Sequence, residues 1–210
     1  MAQRKQPLVV GEYYHLYSRG VDKRKIFLNG QDYRKFLFLM YVCNSEKSIV
    51  SRDLGKKFER GETIVDVGAY CLMPNHFHIL VREKTEGGIS KYLKKLLTGY
   101  SMYFNLKNHR QGKLFDGNFR SELVTGDRYL KYLYSYIHLN PAKLIDVKWK
   151  ENTQRDNAKL MAYCSTYPYS SLNEYKNARS KITNPGEFPN YFVKLADHQK
   201  ELASWLSFTP

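Results

Sequence analysis

Cysteines are scarce in this chain, and the three that it has lie far apart in sequence. Cys43, Cys71 and Cys164 form no CxxC pair. An odd, sparse set of this kind argues against a disulfide framework and against a zinc knuckle. Long apolar runs are also absent, since no stretch approaches the ~18 residues of a membrane-spanning helix. The apolar stretch near the N-terminus is too short for a signal peptide, so we expect a cytoplasmic protein with no membrane partner.

Acidic residues are the minority charge. The 20 Asp and Glu residues are outnumbered by 34 Lys and Arg residues, which gives a formal net charge of +14. Such an excess favours a polyanionic partner, because neutralising phosphates releases their counterions. A nucleic acid is the partner that this balance indicates, and a generic basic protein is the alternative. With 42% hydrophobic residues in 210, the chain can form the core of one domain.

Apolar periodicity between residues 12 and 139 predicts seven elements in a defined order. The predicted strands cover 12–18, 64–73, 76–82 and 119–124, and the predicted helices cover 32–44, 89–107 and 127–139. Pro74 and Asn75 supply a tight turn between two strands, and Pro141 stops the last helix. The order predicts an α+β fold in which helices cover one face of a largely antiparallel sheet. From residue 145 onward the pattern weakens into short pieces rich in Tyr, Asn and Pro.

Two histidines separated by one residue are the sharpest chemical feature. His76 and His78 flank Phe77 within a predicted strand. Residues i and i+2 of a strand point to the same face, so both imidazoles project side by side. Such a pair provides two ligands for a metal ion. It is also compatible with a polar pair on a solvated face of the sheet.

A tyrosine and an asparagine lie four residues apart at the end of the third predicted helix. Tyr136 and Asn140 therefore share one helical face, and Asn140 precedes Pro141 at the end where its amide is free. The alternative is that Tyr136 is merely one of 18 tyrosines and that Asn140 only caps the helix.

Together, the two features make one kind of chemistry possible. A divalent cation held by two imidazoles and an amide oxygen keeps open positions that can polarise a phosphodiester. A tyrosine nearby can attack the phosphorus and form a covalent phosphotyrosine. This linkage conserves the bond energy, so the reverse attack reseals a strand without ATP.

Several motifs resemble one known family. The segments CLMPNHFHILV, SMYFN, GKLFDGNFRS and YIHLNP, preceded by YHLYSRGVDKRKIF, are similar to those of the REP-associated tyrosine transposases, relatives of the insertion-sequence transposases in the HUH superfamily. The resemblance spans about residues 11–176 and keeps the motifs in the family's order. Asn118 departs from the pattern, because a basic residue is frequent at its position.

The resemblance implies a fold, an activity and a site. The fold is a ferredoxin-like or RRM-like palm. The activity is that of a metal-dependent single-stranded DNA endonuclease and strand transferase, which acts through a 5′-phosphotyrosine at hairpin or palindromic repeats. By the same resemblance, Tyr136 is the nucleophile, His76 and His78 bind Mg²⁺ or Mn²⁺, and Asn140 is the third ligand. In some relatives a partner subunit supplies the tyrosine helix, so a homodimer is an open possibility.

The remaining expectations concern domain organisation and DNA contacts. We expect residues 1–176 to form the catalytic domain and residues 177–210 to be a C-terminal extension packed on it. The apolar residues of that extension are Phe188, Tyr191, Phe192, Trp205 and Leu206. The basic residues expected to bind DNA are Arg19, Lys23, Arg24, Lys91, Lys94, Lys95, Arg110, Lys113 and Arg120. The aromatic residues that could stack on bases beside them are Tyr14, Tyr17, Phe115 and Phe119.

Two other histidines and two rival functions complete the analysis. His15 lies on the first predicted strand and could approach the site, whereas His138 lies two residues from Tyr136 and should be structural. The first rival is a non-catalytic regulator that binds single-stranded nucleic acid on the same fold. The second is a metal-dependent phosphodiesterase in which water attacks and Tyr136 is passive.

Overall fold

A four-stranded antiparallel sheet is the centre of the fold. The computed structural model describes residues 7–47, 58–177, 181–192 and 194–207. The strands are β1 (Tyr13–Arg19), β2 (Val65–Met73), β3 (His76–Glu83) and β4 (Arg120–Leu123), in the spatial order β2-β3-β1-β4. Both the strands and their antiparallel pairing agree with the sequence prediction. Part of the predicted loop over 45–62, residues 48–57, lies outside the described residues.

Two helices cover one face of this sheet. They are α1 (Gly30–Cys43) and α2 (Gly88–Lys107), and with the strands they form the β-α-β-β-α-β order of a ferredoxin-like fold. The core between them and the sheet contains Leu16, Phe36 and Phe77, each fully buried. Asn29 begins α1, because its side chain accepts hydrogen bonds from two backbone amides of the first turn. The predicted α+β, ferredoxin-like fold class is confirmed.

A third helix, α3 (Asp127–His138), packs on the opposite face of the sheet over β2 and β3. Leu130, Leu133 and Ile137 meet Ala69 and Leu80 there in a second core. The expectation of helices on one face therefore holds for α1 and α2 but not for α3. The physical reason is that β2 is buried along its whole length, so both of its faces need apolar cover.

The C-terminal third contains helices that the weak sequence pattern did not predict. These are α4 (Asn157–Thr166), α5 (Leu172–Asn177) and α6 (Leu195–Ser207). Short 3₁₀ helices span Val21–Lys23, Asn140–Leu144 and Pro185–Glu187. A third apolar cluster joins α4 to α6 through Leu160, Cys164, Leu202 and Leu206. Within the described ranges, no helix is long and apolar enough to cross a membrane.

Phe188 packs the C-terminal segment directly on β2. A Cβ atom at Gly68 would lie 2.7 Å from the Phe188 ring and 2.9 Å from the Tyr134 hydroxyl oxygen. The strand is irregular at this point, where its register with β3 shifts between Val67 and Ala69. Glycine is needed here because any side chain would displace Phe188 or Tyr134 from the sheet.

Candidate active site

The alternation of side chains along β1 and β3 places the chemically active residues on the α3 face of the sheet. Tyr17 lies directly opposite His78, and Arg19 lies opposite His76. Directly paired residues of antiparallel strands point to the same face. Tyr14 and Leu16 therefore point to the other face, where they belong to the α1–α2 core.

The two predicted histidines are neighbours, and a third histidine joins them. The ring centres of His76 and His78 are 5.0 Å apart. His15 Nε2 and His78 Nδ1 share a hydrogen bond of 2.9 Å. Nδ1 of His76 is 2.6 Å from Oδ1 of Asn75. In both His76 and His78, Nδ1 is thus engaged by a neighbour, which leaves Nε2 as the nitrogen for a ligand.

Tyr136 faces these rings from α3. Its ring lies edge-on to His78, with the centres 5.5 Å apart, and edge-on to His15 at 5.8 Å. Its phenol ring is half-buried. Tyr136 and these histidines therefore meet within one chain.

Asn140 begins the 3₁₀ helix that follows α3, and only one of its two side-chain polar atoms forms a hydrogen bond. Its Nδ2 donates a hydrogen bond of 2.9 Å to the carbonyl oxygen of Tyr136. The opposite atom, Oδ1, is buried and has no hydrogen-bond partner among the described residues. Those residues also contain no cluster of three His, Cys, Asp or Glu side chains that could hold a metal ion. A cation at the histidine pair would therefore depend on Oδ1 of Asn140 as an additional ligand, and this orphaned oxygen fits that use.

Burial determines the protonation state of the three histidines. It lowers the pKa of His15 to about 4, against an opposing effect of Glu122, and it lowers the pKa of His76 to about 4, together with the charge of Lys143. The pKa of His78 lies well below its usual value, mainly through burial. All three imidazoles are consequently neutral near pH 7, the form that binds metal ions. Burial, followed by neighbouring Tyr132, raises the pKa of the Tyr136 phenol.

Glu122 of β4 is a site residue that the sequence analysis did not single out. It pairs with His15 across the strands. Its Oε1 accepts a hydrogen bond of 2.6 Å from the Tyr17 hydroxyl, and its Oε2 lies 3.8 Å from Nδ1 of His15. Only the register between β1 and β4 brings these residues together, so the sequence alone carried no signal for Glu122.

Two lysines beyond α3 also reach the tyrosine. The Nζ atoms of Lys143 and Lys150 lie 5.8 and 5.5 Å from the centre of the Tyr136 ring. Among the described residues, neither lysine forms an ion pair with an acidic side chain. Burial lowers the pKa of Lys143, and the charge of Lys150 lowers it further. The two ammonium groups leave a concentration of positive charge beside the phenol.

The residues expected to bind DNA are distributed over both faces of the sheet. Arg120 is on the site side, with its guanidinium 6.0 Å from the Tyr17 ring centre. Arg19 is paired with Asp116 at 2.9 Å, and Arg24 is paired with Asp22 at 3.3 Å. Lys23 is exposed in the 3₁₀ helix after β1. Within the described part of the chain, these nine residues therefore do not share one surface.

The other five candidates belong to α2 and the loop that follows it, away from Tyr136. Lys91 and Lys94 are exposed on α2, whereas Lys95 donates hydrogen bonds to the backbone of Ser45 and Lys47. Arg110 donates to the Asn105 side chain. Lys94 and Lys113 line a separate groove of about 690 Å³.

The prediction that four aromatic residues could stack on bases is wrong for two of them. Tyr14 and Phe115 are buried in the α1–α2 core, with 3% and 6% of their surface exposed. Strand alternation explains why Tyr14 is buried, because its neighbours Tyr13 and His15 point to the opposite face of the sheet. Tyr17 is partly exposed on the site side, and Phe119 is partly buried against the α1–α2 core.

Fold and site together define a class. The ferredoxin-like sheet has a histidine pair on its central strand β3, and a tyrosine faces that pair from α3. Residues 13–140, more than half of the chain, match the family model of IS200-like transposases. The chain belongs to the IS200-like transposase family.

A solved structure has the same fold over nearly the whole chain. It is a REP-associated tyrosine transposase bound to a REP hairpin, with a TM-score of 0.54 and 15% sequence identity. The match covers 93% of this chain and 93% of that one. The similarity includes the C-terminal region beyond the family model. No curated protein matches the chain at a significant level.

Proposed function

We propose that this transposase-family protein is a metal-dependent single-stranded DNA endonuclease and strand transferase with Tyr136 as its nucleophile. The observation that carries the proposal is the contact of Tyr136 with His78 and His15 within one chain. Lys143 and Lys150 beside the same ring, and the unpartnered Oδ1 of Asn140, add support to it. The reaction it supports is the transfer of a phosphoryl group from DNA to tyrosine.

The donor set supports Mg²⁺ or Mn²⁺ as the cofactor. His76 and His78 would hold the cation through Nε2, and Asn140 would contribute its unpartnered Oδ1. When bound, the cation supplies Lewis acidity at a phosphate oxygen. Nitrogen and oxygen donors in this combination are compatible with either ion.

In the proposed reaction, one phosphorus–oxygen bond forms and another breaks. Oη of Tyr136 attacks the phosphorus, and the bond from phosphorus to the 3′ oxygen of the preceding nucleotide breaks. The phenol loses its proton, and the released 3′ oxygen gains one. Because burial raises the pKa of Tyr136, the phenolate needs positive charge nearby. Lys143 and Lys150 supply it, and both can also neutralise the attacked phosphate.

Hairpin or palindromic single strands are the proposed substrates. The structural neighbour described above is bound to a REP hairpin. A net charge of +14 and the exposed Arg120 beside Tyr17 support a strand that crosses the site side of the sheet. A homodimer stays a prediction.

Two rival functions use the same fold. In a non-catalytic regulator, the contact between Tyr136 and the histidines would have no role. In a water-attacking phosphodiesterase, Tyr136 would be a bystander, although Lys143 and Lys150 gather around its ring rather than elsewhere. The geometry favours the tyrosine mechanism over both rivals.

Adduct formation tests the proposal. Labelled single-stranded hairpins from the repeats flanking the gene would be incubated with the protein and Mn²⁺ or Mg²⁺, then resolved on denaturing gels. We expect a metal-dependent covalent adduct that is lost in Tyr136→Phe and persists in Tyr41→Phe, a control tyrosine on α1 at the opposite face of the sheet. Cleavage that survives Tyr136→Phe would establish the water-attacking rival. Tight binding without cleavage on any hairpin would establish the regulator.

A further inference from the structure

An aromatic cavity opens directly beside Tyr136, and it shares Asn140, Lys143 and Lys150 with the site described above. Its volume is about 530 Å³, and Tyr132, Tyr136, Trp149 and Trp205 form its aromatic walls. A volume of this size is typical of sites for small organic groups. Tyr136 belongs to both the cavity and the histidine site, so a ligand in the cavity lies next to the attacked phosphate.

The charged residues that line the cavity are all basic. Arg128, Lys143 and Lys150 are among its lining residues, and no Asp or Glu lines it. The ammonium group of Lys150 lies 5.5 Å from the Tyr136 ring centre and 5.6 Å from the Trp149 ring centre. Flat aromatic walls flanked by cations match a planar nucleobase with its phosphates, since every base has a face that can stack.

The C-terminal helix α6 builds one wall of the cavity. Trp205 packs against Tyr132 of α3, with ring centres 4.6 Å apart. Its Nε1 donates a hydrogen bond of 3.1 Å to Glu201, which forms an ion pair with Lys131 at 2.9 Å. These contacts hold the indole in one orientation at the cavity wall. Such preorganisation lowers the entropic cost of binding a flat ligand.

We infer that this cavity binds one unstacked nucleobase of the single-stranded DNA substrate, next to the scissile phosphate, and that α6 is therefore part of the substrate-binding surface. The inference rests on the proposed function for the identity of the strand. The aromatic walls hold the base by stacking. Lys143, Lys150 and Arg128 contact the phosphates on either side of it.

Intrinsic fluorescence offers a direct test, because the protein has 2 tryptophans and both line the cavity. The Tyr136→Phe protein, without added metal ion, would be titrated with a short oligothymidylate and with its fully abasic counterpart. We expect the oligothymidylate to quench tryptophan emission and the abasic strand to bind with little quenching. Binding itself would be followed by anisotropy of a dye on the strand.

Variants separate the two tryptophans and control for folding. Replacing Trp205 by Ala should weaken oligothymidylate binding by roughly 5- to 150-fold, the range for loss of one base–aromatic stack, and Trp205→Phe should restore most of it. Trp149→Phe leaves Trp205 as the single emitter and should keep the quenching. Circular dichroism would verify that each variant is folded.

The outcomes distinguish this inference from the proposed function. Equal quenching by the abasic strand, or unchanged affinity of folded Trp205→Ala, would overturn the nucleobase cavity even if the wild-type protein forms a tyrosine adduct. Quenching that requires bases would support the cavity even if no adduct forms, because the assay uses neither the nucleophile nor a metal ion.

Discussion

At the scale of single residues, His15 connects the histidine pair to the rest of the sheet. One ring nitrogen bonds to His78 and the other points toward Glu122. Metal-binding imidazoles are commonly oriented by a partner on their second nitrogen, which fixes the tautomer. His15 can therefore position His78 without touching the substrate, and Glu122 can orient His15 in turn.

Replacing His15 by Ala should lower the affinity of the protein for Mn²⁺ by about 10- to 100-fold, the usual effect of losing such a partner. The measurement is a Mn²⁺ titration followed by electron paramagnetic resonance on the Tyr136→Phe protein without DNA. His109→Ala is the matched control, because His109 is exposed and outside the site. Unchanged Mn²⁺ affinity in folded His15→Ala would remove His15 from this role.

Some residues of the site could be predicted from the sequence, and others could not. Strand periodicity placed His76 and His78 on one face, because alternation is a local property, whereas the role expected for Tyr136 came from the family resemblance. His15 was recognised only as a residue that could approach the site. Glu122 was missed because its position beside His15 depends on strand register, which residues more than a hundred positions apart decide together.

At the scale of elements, two buried histidines join α3 to α6. His138 Nδ1 and His198 Nε2 share a hydrogen bond of 3.1 Å, and His138 Nε2 is 2.7 Å from the Ser171 hydroxyl oxygen. The structural role expected for His138 agrees with its complete burial. Burial lowers the pKa of His198 to about 4, against the opposing charge of Glu201, and lowers that of His138 well below its usual value.

This pair should make the fold sensitive to acid. A histidine whose pKa is lower in the folded than in the unfolded state contributes its full stability above about pH 6.5 and loses it as pH falls toward about 4. For His198 alone, the free energy of unfolding should fall by about 1–2 kcal/mol between about pH 7 and about pH 5.

Urea unfolding at both pH values measures this loss. In His198→Gln the loss should be smaller, because one titrating group is gone. It should not vanish, since buried His15, His76 and His78 also have lowered pKa values. An identical pH dependence in the variant and the wild-type protein would contradict the assignment.

The C-terminal helices show where element prediction failed. In α4, only Leu160 and Cys164 are buried, so the apolar stripe is too short for periodicity to reveal. The anchors of α6, Leu202 and Leu206, are four residues apart, and Leu160 of α4 completes their cluster. Burial of these helices depends on surfaces supplied by distant segments, which a local pattern does not contain.

At the scale of the whole molecule, the positive charge is divided between two sides of the sheet. Arg120, Lys143 and Lys150 accompany Tyr136, whereas Lys91 and Lys94 are on α2, which packs on the opposite face. We expect a strand bound at Tyr136 to follow the first group, and the second group to add long-range attraction without direct contact at the site.

Replacing Arg120 by Ala should therefore weaken binding of single-stranded DNA and reduce the slope of log K against log salt by about 0.7, the value for one lost contact with a single-strand phosphate. Lys94→Ala, which removes the same charge from α2, should leave the slope nearly unchanged. Anisotropy titrations at several salt concentrations measure both slopes. Equal losses in the two variants would place the strand across both sides.

The sequence by itself determined the alternation of strands and helices and the pairing of His76 with His78, because each follows from neighbours along the chain. Its motifs also indicated the transposase family. The tertiary structure decided which residues meet: α3 on the second face of the sheet, His15 and Glu122 beside His78, and Trp205 beside Tyr132. Strand register and helix docking depend on apolar surfaces distant in sequence, so no local pattern could specify them.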